Sequence, residues 1–227
     1  MNRTSSRILM LASAIALGVA IAPRHASACG DEFVPAIDHR VLGVARAEKA
    51  MQEGKYQAAA GMVVRMFPEI GRMTANGVAA KDPLVGRAMR TLALATVRSE
   101  GALNIDSEIP REARGTWSGK SSEDRQANLT WAVSAMRRVN DVRKDDPAVQ
   151  SDLGEALAKL DDQKGQAKKV LEDLAAKDLL ASPEGYAALA RLQAEAGNTG
   201  ARDAAAKRCE AMAKNPAVCR VGAGGQG

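Results

Sequence analysis

Apolar residues recur at helical spacing along most of this chain. Over 40–52 they fall at Val41, Val44, Ala45, Ala47 and Met51, and Gly54 closes the run. Steps of three and four place such residues on one stripe, so a helix is predicted there. A second helix follows at once over 56–66, stopped by Phe67-Pro68, and the short break predicts a helical hairpin. A third, over about 83–99, carries Leu84, Ala88, Leu92, Ala95 and Val97. Then 100–124 loses the period and gains Gly101, Pro110, Gly115 and Gly119, and reads as the one long irregular stretch. Five further helices are predicted over 125–144, 147–160, 163–177, 183–196 and 200–214. The end of the chain, 222–227, is too rich in glycine to hold structure.

The helical pieces also repeat. With Pro147 set against Pro183, an offset of 36 residues, Leu153-Gly154 falls on Leu189-Ala190 and Asp161-Asp162 falls on Gly197-Asn198. A fixed period of this size signals stacked supersecondary units. In the first hairpin Ala47 and Ala59 let the helices touch, Gly54 makes the turn, and Tyr56 fills the gap between pairs. The matching residues are Tyr186, Leu189, Ala190 and Gly197 in 183–216, and Leu153, Gly154 and Leu157 in 147–181. This pattern resembles tetratricopeptide repeats, whose units are antiparallel helix pairs. Their marks are a bulky residue, a Leu-Gly or Leu-Ala step, a turn glycine and an early alanine in the second helix. One unit departs from the pattern. Ala135, Val139, Val142 and Pro147 keep the spacing of a second helix whose partner is the 83–99 run, so 100–124 reads as an insertion inside that pair. The resemblance covers about 40–216 and implies an all-α fold, an α-solenoid of about four antiparallel helix pairs with an irregular insertion in the second.

Stacked pairs curve and leave a concave face lined by their first helices. In the family that this chain resembles, that groove holds a peptide or a partner's helix. The register of the resemblance places Glu48 and Gln52 of the first unit there, with Ser151, Glu155 and Lys159 of the third and Arg191 and Glu195 of the fourth. They are expected to be exposed, a mixed-charge face suited to a polar protein partner. Gly154 is expected at a helix contact that leucine would overpack, and Gly119, in the insertion, is expected to accept leucine without effect.

Composition narrows the class further. Alanine supplies about a fifth of 227 residues, and there are only two each of Trp, Tyr and Phe, which disfavours a β-sandwich or barrel. The formal charge of +5 falls to +2 without Arg3, Arg7 and Arg24, and no dense basic tract with interleaved aromatics points to nucleic acid.

Those three arginines flank an export signal. Arg3 and Arg7 form a basic start, residues 8–22 an apolar stretch, and Ala26-Ser27-Ala28 a small-x-small cleavage site, so 1–28 reads as a signal peptide. The apolar stretch is short for a spanning helix, which needs roughly 20 residues. The mature chain then begins at Cys29 with an extension over 29–39, and 217–227 is a flexible tail. Cys29 directly after the site resembles a bacterial lipoprotein start. Ala26 stands where such signals usually carry leucine, and Arg24-His25 intervenes, so ordinary secretion is the preferred reading and a lipid anchor the alternative. Of the three cysteines, Cys209 and Cys219 lie on either side of the Asn215-Pro216 stop and are expected to form a disulfide in an oxidising compartment. Cys29 is left lipidated, free or paired between molecules.

No catalytic, metal or cofactor site is expected. Residues 115–121, Gly-Thr-Trp-Ser-Gly-Lys-Ser, have three residues between the glycines where a phosphate loop needs four, and they read as a solvated surface loop. The glycine-rich end matches G-x-G-x-x-G in letters only, with no helix behind it. Asn128-Leu129-Thr130 is a chance sequon in a helix, and Asp145-Asp146 and Asp161-Asp162 are read as helix caps. His39, beside Asp38, has no nucleophile near it. The sequence therefore reads as an exported, non-enzymatic scaffold for a protein or peptide partner in the bacterial envelope, periplasmic or secreted. The competing reading is an enzyme or small-ligand binder whose site is built by 100–124.

Overall fold

Proline and short polar side chains set where the helices of the computed structural model begin. The structure describes residues 38–105 and 117–220. The expected signal peptide, Cys29, most of the expected N-terminal extension, residues 106–116 and the glycine-rich end lie outside the described residues. Among the described residues the regular structure is helical throughout. Helix α1 spans His39–Gln52, α2 Tyr56–Met66, α3 Pro68–Arg72, α4 Pro83–Arg98, α5 Ser122–Val142, α6 Pro147–Leu157, α7 Lys164–Ala176, α8 Pro183–Glu195 and α9 Thr199–Met212. Four of them start on proline, where its missing N–H costs nothing. Asp38, Asp82, Asp146 and Ser182 cap the helices that follow by accepting from free backbone N–H groups.

The helices pack as neighbours, α1 with α2, α4 with α5, α6 with α7 and α8 with α9. Each second helix also touches the first helix of the next pair, and α1, α4, α6 and α8 touch one another in succession. Small residues make this closeness possible. Ala47, Ala59 and Ala60 are fully buried, and at Gly154 an added Cβ would stand 2.6 Å from Leu171 Cδ2, so α6 and α7 meet where a side chain is missing. Gly54 makes the first turn at φ +74°, a backbone conformation that glycine adopts without strain.

Several sequence expectations are corrected. Phe67-Pro68 ends α2 but also starts α3, because Phe67 is buried and Pro68 takes the first helical position. Helix α5 begins at Ser122, ahead of the expected 125, because Ser121 and Asp124 form a reciprocal capping box. Asp146 caps α6, but Asp161 and Asp162 lie in a 3₁₀ turn and cap nothing; Asp161 pairs instead with Lys164 at 2.9 Å.

The described base of the insertion is not a solvated loop. Trp117 is buried, its indole N–H donates to the Gly71 carbonyl at 3.0 Å, and its ring meets Trp131 edge to face at 4.9 Å. Asn128 is buried as well. Its Oδ1 accepts from the Trp117 backbone N–H at 3.2 Å while its Nδ2 donates to the Gly101 carbonyl at 3.0 Å, so its amide holds both sides of the insertion. Both polar atoms of the sequon asparagine are thereby engaged inside the protein. Gly119 is buried at φ +52°, and a Cβ there would lie 2.6 Å from the Ala102 carbonyl carbon, so leucine is excluded at this position. At the other end of the chain Cys209 and Cys219 are joined in a disulfide, their Cα atoms 5.7 Å apart.

Candidate functional site

Residues from the first helices converge on one groove of about 580 Å³. Helix α1 contributes Glu48, Met51 and Gln52, and Tyr56 at the start of α2 reaches the same space. Helix α4 presents Arg90, Leu94 and Arg98, spaced by four so that they share a face. Ala148 and Asp152 of α6 and Glu184 of α8 continue the lining. The end of the groove is walled by Met212 at the end of α9 and by the segment after it, through Lys214 and Val218. The disulfide and an Asn215 cap on Ala217 fold this segment back, and it packs on α8.

Charge under the groove is closely paired. Arg98 donates to both carboxylate oxygens of Glu155 at 3.0 Å and stands 3.1 Å from Glu184, which links three helices. Burial opposes the charge on Arg98, but Glu155 and Glu184 more than offset it, so its pKa rises. Arg90 donates to Asp152, whose side chain is only 5% exposed. Burial, helped by Glu155, pushes the Asp152 carboxyl up to about 6 despite Arg90 and Arg98. Burial likewise raises the Tyr56 phenol. At the α1 end Arg87 donates to Glu48 through Nε at 3.1 Å and Nη2 at 2.6 Å.

Of the residues expected on the concave face, Glu48 and Gln52 line this groove. Ser151 and Glu155 do not, because both are buried beneath it, Glu155 under Arg98 and Ser151 with its hydroxyl 3.4 Å from that of Ser182. Lys159 is not free either. Its side chain is 12% exposed and pairs with Glu100. Glu195 pairs with Lys164 of α7 at 3.0 Å, away from the groove lining, and Arg191 is half-buried outside that lining. In α6 the face turned to the groove is that of Ala148 and Asp152, and in α8 that of Glu184, earlier along each helix than the register carried over from the repeat pattern. Sequence reasoning missed Arg90, Leu94 and Arg98, although their spacing of four on an otherwise apolar helix was a readable signal. Lys214 was missed because it was read as the end of the 200–214 helix, whereas α9 stops at Met212 and Lys214 lies in the segment beyond it.

No protein-family model matches the chain, and no curated protein and no solved structure matches it.

Proposed function

We propose that this protein is an exported, tetratricopeptide-repeat-like scaffold that holds a protein or peptide partner in the groove across its first helices. The observation that carries the reading is that α1, α4, α6 and α8 touch in succession and each sends side chains into the same groove. Serial contact of first helices is the arrangement a solenoid of helix pairs requires, and a concave face is where such stacks bind. The groove combines apolar surface from Met51, Leu94 and Met212 with charges on its helices that are paired within the protein, so a peptide can enter over them without stripping unpaired ions of water.

The disulfide suits an oxidising compartment, in keeping with the export signal. Among the described residues no helix is long and apolar enough to cross a membrane. Acylation of Cys29, the alternative to plain secretion, would change where the scaffold is tethered and leave the groove as it is. The competing reading puts a small-ligand or catalytic site in the insertion. The groove draws on none of the insertion's described residues, and Trp117 and Asn128 serve there as packing and clamp.

A photo-crosslinking amino acid tests the reading when placed at Gln52 or Ala148 in the groove, and at Lys120 or Asp173 on exposed surface elsewhere. In the native envelope the groove positions are expected to give a discrete protein adduct that the other two do not. An adduct from Lys120 alone would favour the insertion.

A further inference from the structure

We propose that the groove selects an extended peptide bearing an acidic side chain beside an apolar one, and that Lys214, outside the helix pairs, reads the acid. This rests on the groove reading above. Glu48 is paired with Arg87, Glu53 with Lys55, Arg90 with Asp152, and Arg98 is shared by Glu155 and Glu184, so each of these lining charges has an ion-pair partner within the protein. Lys214 lines the same groove, is exposed, and has no ion pair or hydrogen bond among the described residues. Its ammonium is therefore the one charged group of the described lining left without a partner in the protein. Exposed Met212 and half-buried Val218 flank it with apolar surface. A lysine accepts a carboxylate from many directions, which suits reading a single acidic side chain more than a planar bidentate group.

The position of Lys214 depends on the disulfide. Cys219 is tied back to Cys209 at the end of α9, and Asn215 caps the turn between them by accepting from the Ala217 N–H at 3.0 Å. Without that tie nothing covalent holds the wall against α8. The acid preference is therefore a property of the folded-back segment, while the rest of the groove belongs to the helices.

The test pans a display library of random nine-residue peptides on the disulfide-bonded protein, on Lys214→Glu and on Ala148→Trp, which fills the groove. Circular dichroism checks that each variant keeps its helices. The best peptide is then measured by fluorescence anisotropy against its copy with the acid changed to the amide. The expected result is enrichment of an acidic residue next to an apolar one, a loss of affinity of up to about fivefold for the amide copy, as for an exposed ion pair, and enrichment of basic residues on Lys214→Glu. Double replacement of Cys209 and Cys219 by serine should erase the preference while leaving residual binding. Peptides that Ala148→Trp abolishes but that show no acid preference, or that ignore Lys214→Glu, overturn this inference and leave the groove reading standing. No enrichment, or enrichment indifferent to Ala148→Trp, overturns both.

Discussion

Adding one methyl group at Gly154 tests the helix packing that brings the groove residues together. The new Cβ would lie 2.6 Å from Leu171 Cδ2 and 2.8 Å from its Cγ, and Leu171 is fully buried, so neither side chain has room to turn away. Overpacking of this kind costs about 1–3 kcal/mol, and that loss outweighs the gain of up to about 1 kcal/mol that alanine brings over glycine inside a helix. Gly61, in the middle of α2, is the internal reference. Its nearest neighbour would be Arg65 Nη1 at 3.7 Å, an ordinary contact, so Gly61→Ala keeps the propensity gain without the clash. For a chain of this size, 1 kcal/mol moves Tm by about 2–4 °C. Thermal melts followed by circular dichroism should therefore show Gly154→Ala lower by several degrees and Gly61→Ala higher by about 1–3 °C. A Gly154→Ala protein as stable as wild type, or the two shifts sharing a sign, would refute the close approach of α6 and α7.

Three further outcomes follow from named contacts. Asn128→Leu leaves the Trp117 N–H and the Gly101 carbonyl buried without partners and should cost about 2–4 kcal/mol, with a changed tryptophan emission spectrum as the second readout. Arg98→Leu strands Glu155, only 3% exposed, and should cost about 3–5 kcal/mol; adding Glu155→Leu should return much of that loss in denaturant melts. Asp152 keeps its proton in the folded state up to about pH 6, while the unfolded chain releases it near 3.8, so the folded state binds more protons in between and this group's contribution to stability falls as pH rises through that window. The fall amounts to about 3 kcal/mol at most, and denaturant melts from pH 4 to 7 should show it in wild type and lose it in Asp152→Asn.

Helices were legible in the sequence wherever an apolar stripe and a capping residue coincided, as at Asp82-Pro83 or Ser182-Pro183. Boundaries slipped where a signal served two elements, as Phe67-Pro68 does, or where a cap lay inside an apparently irregular stretch, as Ser121 does. The base of the insertion was misread for a different reason. Trp117 and Gly119 look like loop residues by composition, and only the distant partners Gly71, Asn128 and Ala102 bury them. The groove was half legible. Glu48 and Gln52 follow from the register of the repeat pattern, but which face α6 turns to the groove depends on how far each pair is rotated on the last, and that rotation decides whether Ala148 and Asp152 or Ser151 and Glu155 line it. Pairing of Arg98 with Glu155, 57 residues away, has no local trace.

Amide hydrogen exchange on the protein alone and bound to the partner captured from Gln52 tests the central claim most directly. The account predicts slowed exchange at the C-terminal end of α1, along α4, in the first turns of α6 and α8, and over 213–218. Protection confined to 117–121, or to the outer helices α5, α7 and α9, would contradict it.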